Sequence, residues 1–289
     1  MSTLLRLAPD RTATPVAATE SPASRLDRWS FNLVMGTLAA LAVLLLIAPT
    51  VIVLITSFTN AFSLKFPPPG WSVRWYQALW SESPEILSAA ALSLQVAALA
   101  TATSVLLGVA AALALARRRE PWARLLDSAF MSPLMLPTLA LGLALLMTFN
   151  LLGTGLSLAT LVIGHVAITS PYVVRTTTAS LQQMDAALLE SARSLGAGPL
   201  FAFRTVTLPL IAPGVAAGAF IGFMASFDNV AISLFLSDAR SEVLPIRLWH
   251  IIESNLDVRA AAVSGVLIAA TVAVGLVMER LAGISRHLR

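Results

Sequence analysis

Few side chains in this sequence of 289 residues could carry out chemistry. The sequence contains no cysteine, which excludes disulfides, thiol catalysis and iron–sulfur clusters. The histidines His165, His250 and His287 lie far apart and lack the spacing of metal ligands, so we predict no metal site. No Ser/His/Asp order looks catalytic, and the phosphate-binding pattern G-x-x-x-x-G-K-[ST] does not occur. The sequence therefore predicts no catalytic residue and no nucleotide held by this chain.

One carboxylate, that of Asp228, stands in an apolar setting. It belongs to the run Phe227-Asp228-Asn229, inside an apolar stretch long enough to cross a membrane. A charged side chain at the centre of a spanning helix costs about 2.5–3.5 kcal/mol on insertion scales, and such groups usually face a partner or an aqueous path. Two hypotheses stay open, a path for a cation and a structural hydrogen bond at a bend of the helix.

The composition predicts an all-α integral membrane protein. Hydrophobic residues make up 57% of the chain and charged residues 12%, whereas a soluble domain carries about 25% charged residues. This balance excludes an ordinary soluble domain, a disordered chain and a nucleic-acid-binding domain. A spanning helix needs about 20 mostly apolar residues, and helices are expected because lipid cannot satisfy backbone polar groups. The candidate spans are 31–55, 88–116, 128–149, 156–174, 210–236 and 260–278.

The distribution of basic residues predicts the orientation of these spans. Fourteen of the nineteen lysines and arginines lie on the side that holds both termini, so both termini are predicted to be cytoplasmic. The net charge of +4 is therefore a topological signal and does not indicate a nucleic-acid partner. The expected segments are a largely disordered tail over 1–30, a first helix over 31–55, an external loop over 56–87, a five-helix core over 88–281 and a short tail over 282–289.

The cytoplasmic loop 185–209 has the most informative pattern in the chain. Apolar residues at helical spacing predict a short amphipathic helix in it: Leu188, Leu189, Ala192 and Leu195. Gly196 and Gly198 can end this helix, because glycine accepts a positive φ. Pro199 can open the next helical turn. A short rigid helix held between two spans is suited to coupling with a soluble partner.

This loop resembles the EAA loop of ABC importer permeases. The family pattern is Glu-Ala-Ala, three residues, Gly, nine residues, Ile, one residue and Leu-Pro. The corresponding residues here are Glu190-Ser191-Ala192, Gly196, Val206 and Leu208-Pro209. Serine in place of alanine and valine in place of isoleucine are mild departures, and the spacing matches throughout.

The resemblance implies a permease subunit of a type I, binding-protein-dependent importer with the MetI-like fold. In that fold each of two permease subunits contributes five core helices, and the first helix wraps the outside. The loop helix would dock on an ABC ATPase dimer, with a polar contact from Glu190 and with Gly196 allowing close approach. Pro209 would start the fifth span, where its missing N–H is harmless. The apolar contact with the ATPase would come from Leu188, Leu189 and Leu195.

The resemblance also implies the remaining partners. They are a second permease subunit, expected to be a paralogue, and an extracytoplasmic substrate-binding protein, in the bilayer of a bacterial inner membrane. ATP and Mg would be bound by the ATPase, so this chain would carry no cofactor. Its role would be alternating access driven by the hydrolysis of ATP in a partner subunit.

The substrate is indicated by a more local similarity. The stretches 226–237 and 244–249 resemble spermidine/putrescine permeases. Polyamines carry several positive charges, which would suit a path formed by Asp228, Asn229, Phe227 and Trp249. Permeases for ferric iron, thiosulfate and aminophosphonates share much of this framework, so another small solute stays open.

Two other classes of membrane protein would show different patterns. A stand-alone secondary transporter would show internal repeats and more intramembrane charge. A membrane enzyme would show clustered His, Asp or Glu. The sequence shows neither pattern.

Two further features of the spans predict helix packing. Gly214, Gly218 and Gly222 recur every four residues on one face, and small residues let helices approach closely in lipid. This glycine face could extend to the interface with the second permease. For His165, a lone imidazole among apolar residues, we expect an interhelical hydrogen bond in preference to a proton relay.

Overall fold

The computed structural model describes residues 22–116, 118, 120–238 and 241–282. These residues form helices and no strand, which confirms the all-α prediction. The chain divides into two compact units, Met1–Ile52 and Val53–Arg289. The first unit contains most of an apolar helix whose side chains are largely exposed from Trp29 onward.

The helices alternate between long apolar elements and short connecting ones. In chain order they are α1 (Pro22–Ser57), α2 (Arg74–Ser81), α3 (Pro84–Leu115), α4 (Pro121–Met135), α5 (Thr138–Leu151), α6 (Leu158–Gln183), α7 (Ala186–Ser194), α8 (Pro199–Ala202), α9 (Leu208–Phe227), α10 (Val230–Leu236), α11 (Leu244–Asn255) and α12 (Val258–Ala282). A π-helical segment, Phe203–Thr207, joins α8 to α9, so that one helix runs from Pro199 to Phe227. Within the described residues, five helices are long and apolar enough to span a membrane, and the bent pair α4–α5 could supply a sixth.

The predicted third span, 128–149, is wrong as a single helix. The chain instead forms α4 and α5, which meet at an angle of 108°. The break falls at Leu136 and Pro137. Proline has no N–H to continue the helical hydrogen bonds, and it disfavours the helical conformation of the residue before it. Leu136 is accordingly extended, with φ −86° and ψ 143°.

The predicted fifth span, 210–236, is wrong at both ends. Its helix begins at Pro199, because Gly198 and Pro199 open a helical turn that continues without a stop into the apolar stretch. It ends at Phe227, and α10 follows as a separate short helix. The apolar composition continues across the break, which is why hydropathy alone did not reveal it.

The other predicted boundaries differ by a few to several residues. Helix α1 already begins at Pro22, so residues 22–30 are helical rather than a disordered tail, while residues 1–21 and 283–289 lie outside the described part. The helix predicted to end at 174 continues as α6 to Gln183, beyond the end of its apolar stretch. The predicted external loop 56–87 contains α2 and the start of α3.

The centre of the second unit is formed by α3, α6 and α9. Helices α3 and α6 approach closely at Gly108, where an added Cβ would lie 3.0 Å from the Cβ of Val173. Four residues earlier on α3, the Ser104 and Thr169 hydroxyls are 2.5 Å apart and fully buried. Close backbone approach and buried hydroxyl pairs are both typical of helix packing in lipid.

Candidate functional site

The short helix predicted in the loop 185–209 is present as α7. The Asp185 side chain caps its N-terminus, since the backbone N–H of Ala187 donates to Asp185 Oδ1 at 2.9 Å. At the other end Gly196 has a φ of +83°. The prediction that Gly196 ends this helix through a positive φ is therefore confirmed.

Two backbone hydrogen bonds define the turn at Gly196. The N–H of Gly196 donates to the carbonyl of Arg193 at 2.9 Å, and the N–H of Ala197 donates to the carbonyl of Ala192 at 3.0 Å. This pair is the Schellman motif, which satisfies the last carbonyls of a helix and needs a left-handed residue between them. The loop helix is thus closed at both ends by its own sequence.

The side chains of α7 divide between an outer and an inner face. Glu190 and Ser191 are exposed, as are Leu188 (47%) and Leu195 (88%). Ala192 is half-buried. An exposed acid among exposed leucines is suited to contact with another protein.

Leu189 differs from the other leucines predicted to contact a partner. It is half-buried and lines a pocket of about 220 Å³ together with Arg193, at the ends of α3 and α6. Its side chain therefore faces the ends of α3 and α6 within this chain. The structure separates Leu189 from Leu188 and Leu195, which the helical spacing had grouped together.

The continuous helix 199–227 changes the position of Pro209. Pro209 is the eleventh residue of this helix, ten positions after Pro199, and does not lie at its start. The π-helical segment ends just before it, with the N–H of Leu208 donating to the carbonyl of Phe203. An inserted wider turn is a known way to accommodate a proline, whose ring and missing N–H disturb the regular α-helix.

Asp228 and Asn229 form the break between α9 and α10. Asp228 is the C-cap residue of α9. Asn229 is the N-cap residue of α10, and its Oδ1 accepts a hydrogen bond from the N–H of Ile232 at 2.8 Å. The role of Asn229 in this structure is therefore to start a helix.

A cavity of about 490 Å³ opens beside this break, between α3, α9 and α12. Asp228 supplies a carboxylate to a wall that is otherwise mostly apolar. The rings of Phe223 and Phe227 stack there with their centroids 5.9 Å apart. The remaining lining residues are Leu94, Met224, Leu267, Ile268, Ala270, Thr271, Val272 and Val274.

Asp228 and Phe227 were predicted from the sequence to lie on the substrate path, but the other residues of this cavity were not. Phe223 and Met224 lie one helical turn before them, so the face they share could have been read from i, i+4 spacing. The contributions of α3 and α12 have no local signal, because they come from distant parts of the chain. Only the packing of the three helices brings them to one cavity.

Trp249 lies outside the residues that line the cavity. It is on α11 and is 59% exposed. The charges near it are engaged within the chain. Arg247 is 3.6 Å from Glu85 and 3.5 Å from Glu242, and the Glu242 carboxylate also meets His250 at 2.8 Å.

The three glycines of α9 face α6. A Cβ at Gly214 would lie 2.9 Å from the Ser180 Cβ, and one at Gly218 would lie 2.9 Å from the Val173 Cα. At Gly222 the nearest atom would be 3.5 Å away. The close contacts are therefore within this chain, and they are tightest toward the α7 end of the helix.

His165 makes interhelical hydrogen bonds, as predicted from the sequence. The imidazole is 1% exposed. Its Nδ1 is 2.8 Å from the Ser226 hydroxyl of α9, and its Nε2 is 3.2 Å from the Ser233 hydroxyl of α10.

The structure combines an apolar stretch that breaks between α9 and α10, an exposed loop helix α7 and a bundle of long apolar helices. These features are consistent with a membrane permease. Residues 104–286 match the family described as binding-protein-dependent transport system inner membrane component. The match covers more than half of the chain, so the chain belongs to this family and is a permease subunit of an ABC importer. Such subunits are multi-pass, non-catalytic membrane components of the transporter.

Among individual proteins, polyamine permeases of Escherichia coli are similar over most of their length. The putrescine transport system permease protein PotI is 31% identical over 243 residues, which are 80% of this chain and 84% of PotI. The spermidine/putrescine transport system permease protein PotC is 29% identical over 221 residues, 76% of this chain and 83% of PotC. The molybdenum transport system permease protein ModB of Mycobacterium bovis is 33% identical over a shorter region, 58% of this chain and 69% of ModB.

Solved structures agree with the fold. A bacterial ABC transporter involved in the import of the acidic polysaccharide alginate matches with a TM-score of 0.64, over 91% of this chain and 97% of that chain. Its sequence identity is 15%, so this similarity concerns the fold alone. The expected MetI-like permease fold is therefore confirmed.

Proposed function

We propose that this permease imports polyamines such as spermidine and putrescine, and that Asp228 contacts an ammonium group of the substrate on its way. The observation that carries the proposal is the cavity beside the α9–α10 break, where one carboxylate meets an apolar and aromatic wall. Polyamines have the complementary build, because their ammonium groups are separated by methylene segments. The similarity to PotI and PotC supports the same substrate class.

The chemistry of the cavity explains how it would select such a cation. The carboxylate of Asp228 attracts an ammonium group, and the stacked faces of Phe223 and Phe227 offer cation–π contacts. The C-terminal end of α9 adds the negative end of a helix dipole at the same place. The apolar wall accommodates methylene groups without leaving their surface in water.

The coupling proposal concerns α7. Its exposed face, with Glu190, Leu188 and Leu195, would dock on the ABC ATPase dimer, and the turn at Gly196 would let the partner approach. From this turn the continuous helix 199–227 leads directly to Asp228. It has 29 residues and is therefore about 43 Å long. A displacement of α7 on binding of ATP by the partner would reach the cavity through this one helix.

The remaining partners follow from the same proposal. A second permease subunit, expected to be a paralogue, would complete the pathway, and an extracytoplasmic substrate-binding protein would deliver the polyamine. ATP and Mg would reside on the ATPase. Both termini would be cytoplasmic, in a bacterial inner membrane, as the excess of basic residues on that side favours.

The test compares two substitutions that each remove one carboxylate charge. Asp228→Asn changes the cavity, whereas Glu253→Gln changes an exposed residue of α11 outside the cavity. The transporter is reconstituted in proteoliposomes with its partner subunits, and the uptake of labelled putrescine and spermidine is measured. Asp228→Asn should lower uptake at least about tenfold, corresponding to about 1.4 kcal/mol. Glu253→Gln should leave it unchanged.

Unchanged polyamine uptake by the Asp228→Asn variant would contradict the cation path. Another small solute would then be the better hypothesis, including ferric iron, thiosulfate or an aminophosphonate. The partial similarity to a molybdenum transport permease makes a molybdenum compound a further solute to test in the same proteoliposomes. Uptake driven by an ion gradient without any ATPase would instead indicate a secondary transporter.

A further inference from the structure

The buried imidazole of His165 contacts both sides of the break that contains Asp228. Ser226 lies in the last turn of α9, two residues before Asp228, and Ser233 lies in the first turns of α10. The two hydroxyls are 61 and 68 residues away from His165 in the sequence. One side chain on α6 thus links the end of α9 to α10.

The two hydrogen bonds require different roles of the two ring nitrogens. A neutral imidazole donates through one nitrogen and accepts through the other. Serine hydroxyls can do either, so His165 can satisfy Ser226 and Ser233 at the same time. An apolar side chain of similar size could fill the space but would leave both hydroxyls without this partner.

Helix α10 is also held closely by its other neighbours. A Cβ at Gly164, next to His165, would lie 3.0 Å from Ile232, and a Cβ at Gly142 of α5 would lie 3.0 Å from the carbonyl of Ala231. These contacts fix the position of α10 on α5 and α6. Because α10 is held in place, the angle between α9 and α10 depends on the contacts that link the two helices across the break.

We infer that His165 is a positioning residue of the transport pathway, which fixes the angle between α9 and α10 and thereby the direction of the Asp228 carboxylate. The inference rests on the proposed function in so far as Asp228 contacts substrate. Its geometric part, the angle at the break, is independent of the substrate. The same link would make α10 follow the movement of α9 during the transport cycle.

The chain has no cysteine, so the angle can be measured with two introduced spin labels. Ile221→Cys on α9 and Leu234→Cys on α10 place them on exposed positions either side of the break. Electron paramagnetic resonance then gives the distribution of distances between the labels in the assembled transporter in lipid. The measurement is made with His165, with His165→Leu and with His165→Gln.

The His165→Leu variant should broaden the distance distribution and populate a second distance. Loss of two interhelical hydrogen bonds of average strength in a membrane protein corresponds to a shift of about eightfold in the equilibrium between arrangements. The His165→Gln variant should restore the narrow distribution at least in part, because its amide keeps one donor and one acceptor. Uptake of polyamines should likewise fall in the His165→Leu variant and recover at least in part in the His165→Gln variant.

Ser104→Ala is the matched control. It removes the buried hydrogen bond between Ser104 of α3 and Thr169 of α6, one turn from His165, and leaves the hydrogen bonds of His165 to Ser226 and Ser233 in place. It should leave the distance distribution unchanged. If His165→Leu prevents assembly, the combined change Ser226→Ala and Ser233→Ala removes the same hydrogen bonds from the other side and should broaden the distribution.

Identical distance distributions with histidine and leucine at position 165 would overturn the inference, as would equal broadening by Ser104→Ala. An unchanged distance distribution in the combined Ser226→Ala and Ser233→Ala variant would overturn it as well. A broadened distribution together with normal polyamine uptake by the Asp228→Asn variant would uphold the positioning of the break and reject the substrate role of Asp228. The two proposals can therefore fail separately.

Discussion

Two glycines of α9 that lie one turn apart and face α6, Gly218 and Gly222, differ in the space around them. This difference allows the effect of a substitution at each position on stability to be predicted. At Gly218 an added Cβ would overlap the hydroxyl of Thr176 and lie 2.9 Å from the Cα of Val173. At Gly222 the nearest atom would be the Cβ of Thr169 at 3.5 Å, an ordinary van der Waals distance. We therefore expect Gly218→Ala to destabilise the protein relative to Gly222→Ala.

The magnitude follows from two opposing contributions. Alanine is favoured over glycine in a helix by about 0.8–1.0 kcal/mol, and this gain is common to both variants. Overpacking against a neighbour that cannot yield costs about 1–3 kcal/mol. The contact at Gly218 is with backbone, so α6 and α9 must separate there, whereas Gly222 has room for a methyl group. The two variants should consequently differ by about 1–3 kcal/mol in the free energy of unfolding.

The assay is equilibrium unfolding of the purified chain in mixed micelles, followed by circular dichroism. The parent protein and both variants are titrated with sodium dodecyl sulfate under the same conditions. The Gly222→Ala variant should unfold at or above the midpoint of the parent, and the Gly218→Ala variant below that of Gly222→Ala.

Equal midpoints for the two variants would refute the reasoning, because they would mean that α6 and α9 are not in backbone contact at Gly218. A lower midpoint for Gly222→Ala would refute it as well. Either result would also reopen the alternative that this glycine face serves the contact with the second permease subunit.

Two further predictions concern the coupling loop. Gly196→Ala should reduce ATP-driven uptake, because a left-handed alanine costs roughly 1–2 kcal/mol, while Gly196→Asn should retain more of it; equal uptake by both variants would argue against a role for this turn. Leu195→Asp should weaken association with the ATPase in a pull-down and leave the unfolding midpoint unchanged, since Leu195 is 88% exposed. Leu189→Asp should lower the unfolding midpoint, because Leu189 is half-buried and faces the ends of α3 and α6. Unaltered association of the Leu195→Asp variant would remove Leu195 from the proposed contact.

The coupling loop shows how far local sequence reasoning reaches. The end of α7 at the turn of Gly196 and the helical turn that opens at Pro199 were predicted from the sequence, because caps and turns depend on residues a few positions apart. The N-cap by Asp185 was not predicted, although it is a local signal of the same kind. The different orientations of Leu189 and Leu188 could not be predicted from such local patterns. Both satisfy the same helical spacing, and only the ends of α3 and α6 make one of them an inner residue.

The spans show the corresponding limit for hydropathy. An apolar stretch indicates that a segment prefers lipid, and the described residues contain five such helices. It does not report where the helix bends or stops inside the stretch. The break at Pro137 had a local signal in the proline itself, and the N-cap by Asn229 is a local signal for the start of α10. The hydrogen bonds of His165 to both sides of the second break have no such signal, because they come from a helix distant in sequence.

By itself, the sequence determined that this chain is a helical membrane protein of the permease class, with an exposed loop helix and a single carboxylate in an apolar run. These properties depend on composition and on neighbours along the chain. Only the tertiary structure decided which surfaces surround Asp228, which leucine of α7 faces outward and which hydroxyls His165 meets. The physical reason is that each of these depends on contacts between helices distant in sequence, whose packing fixes distances that no local pattern encodes.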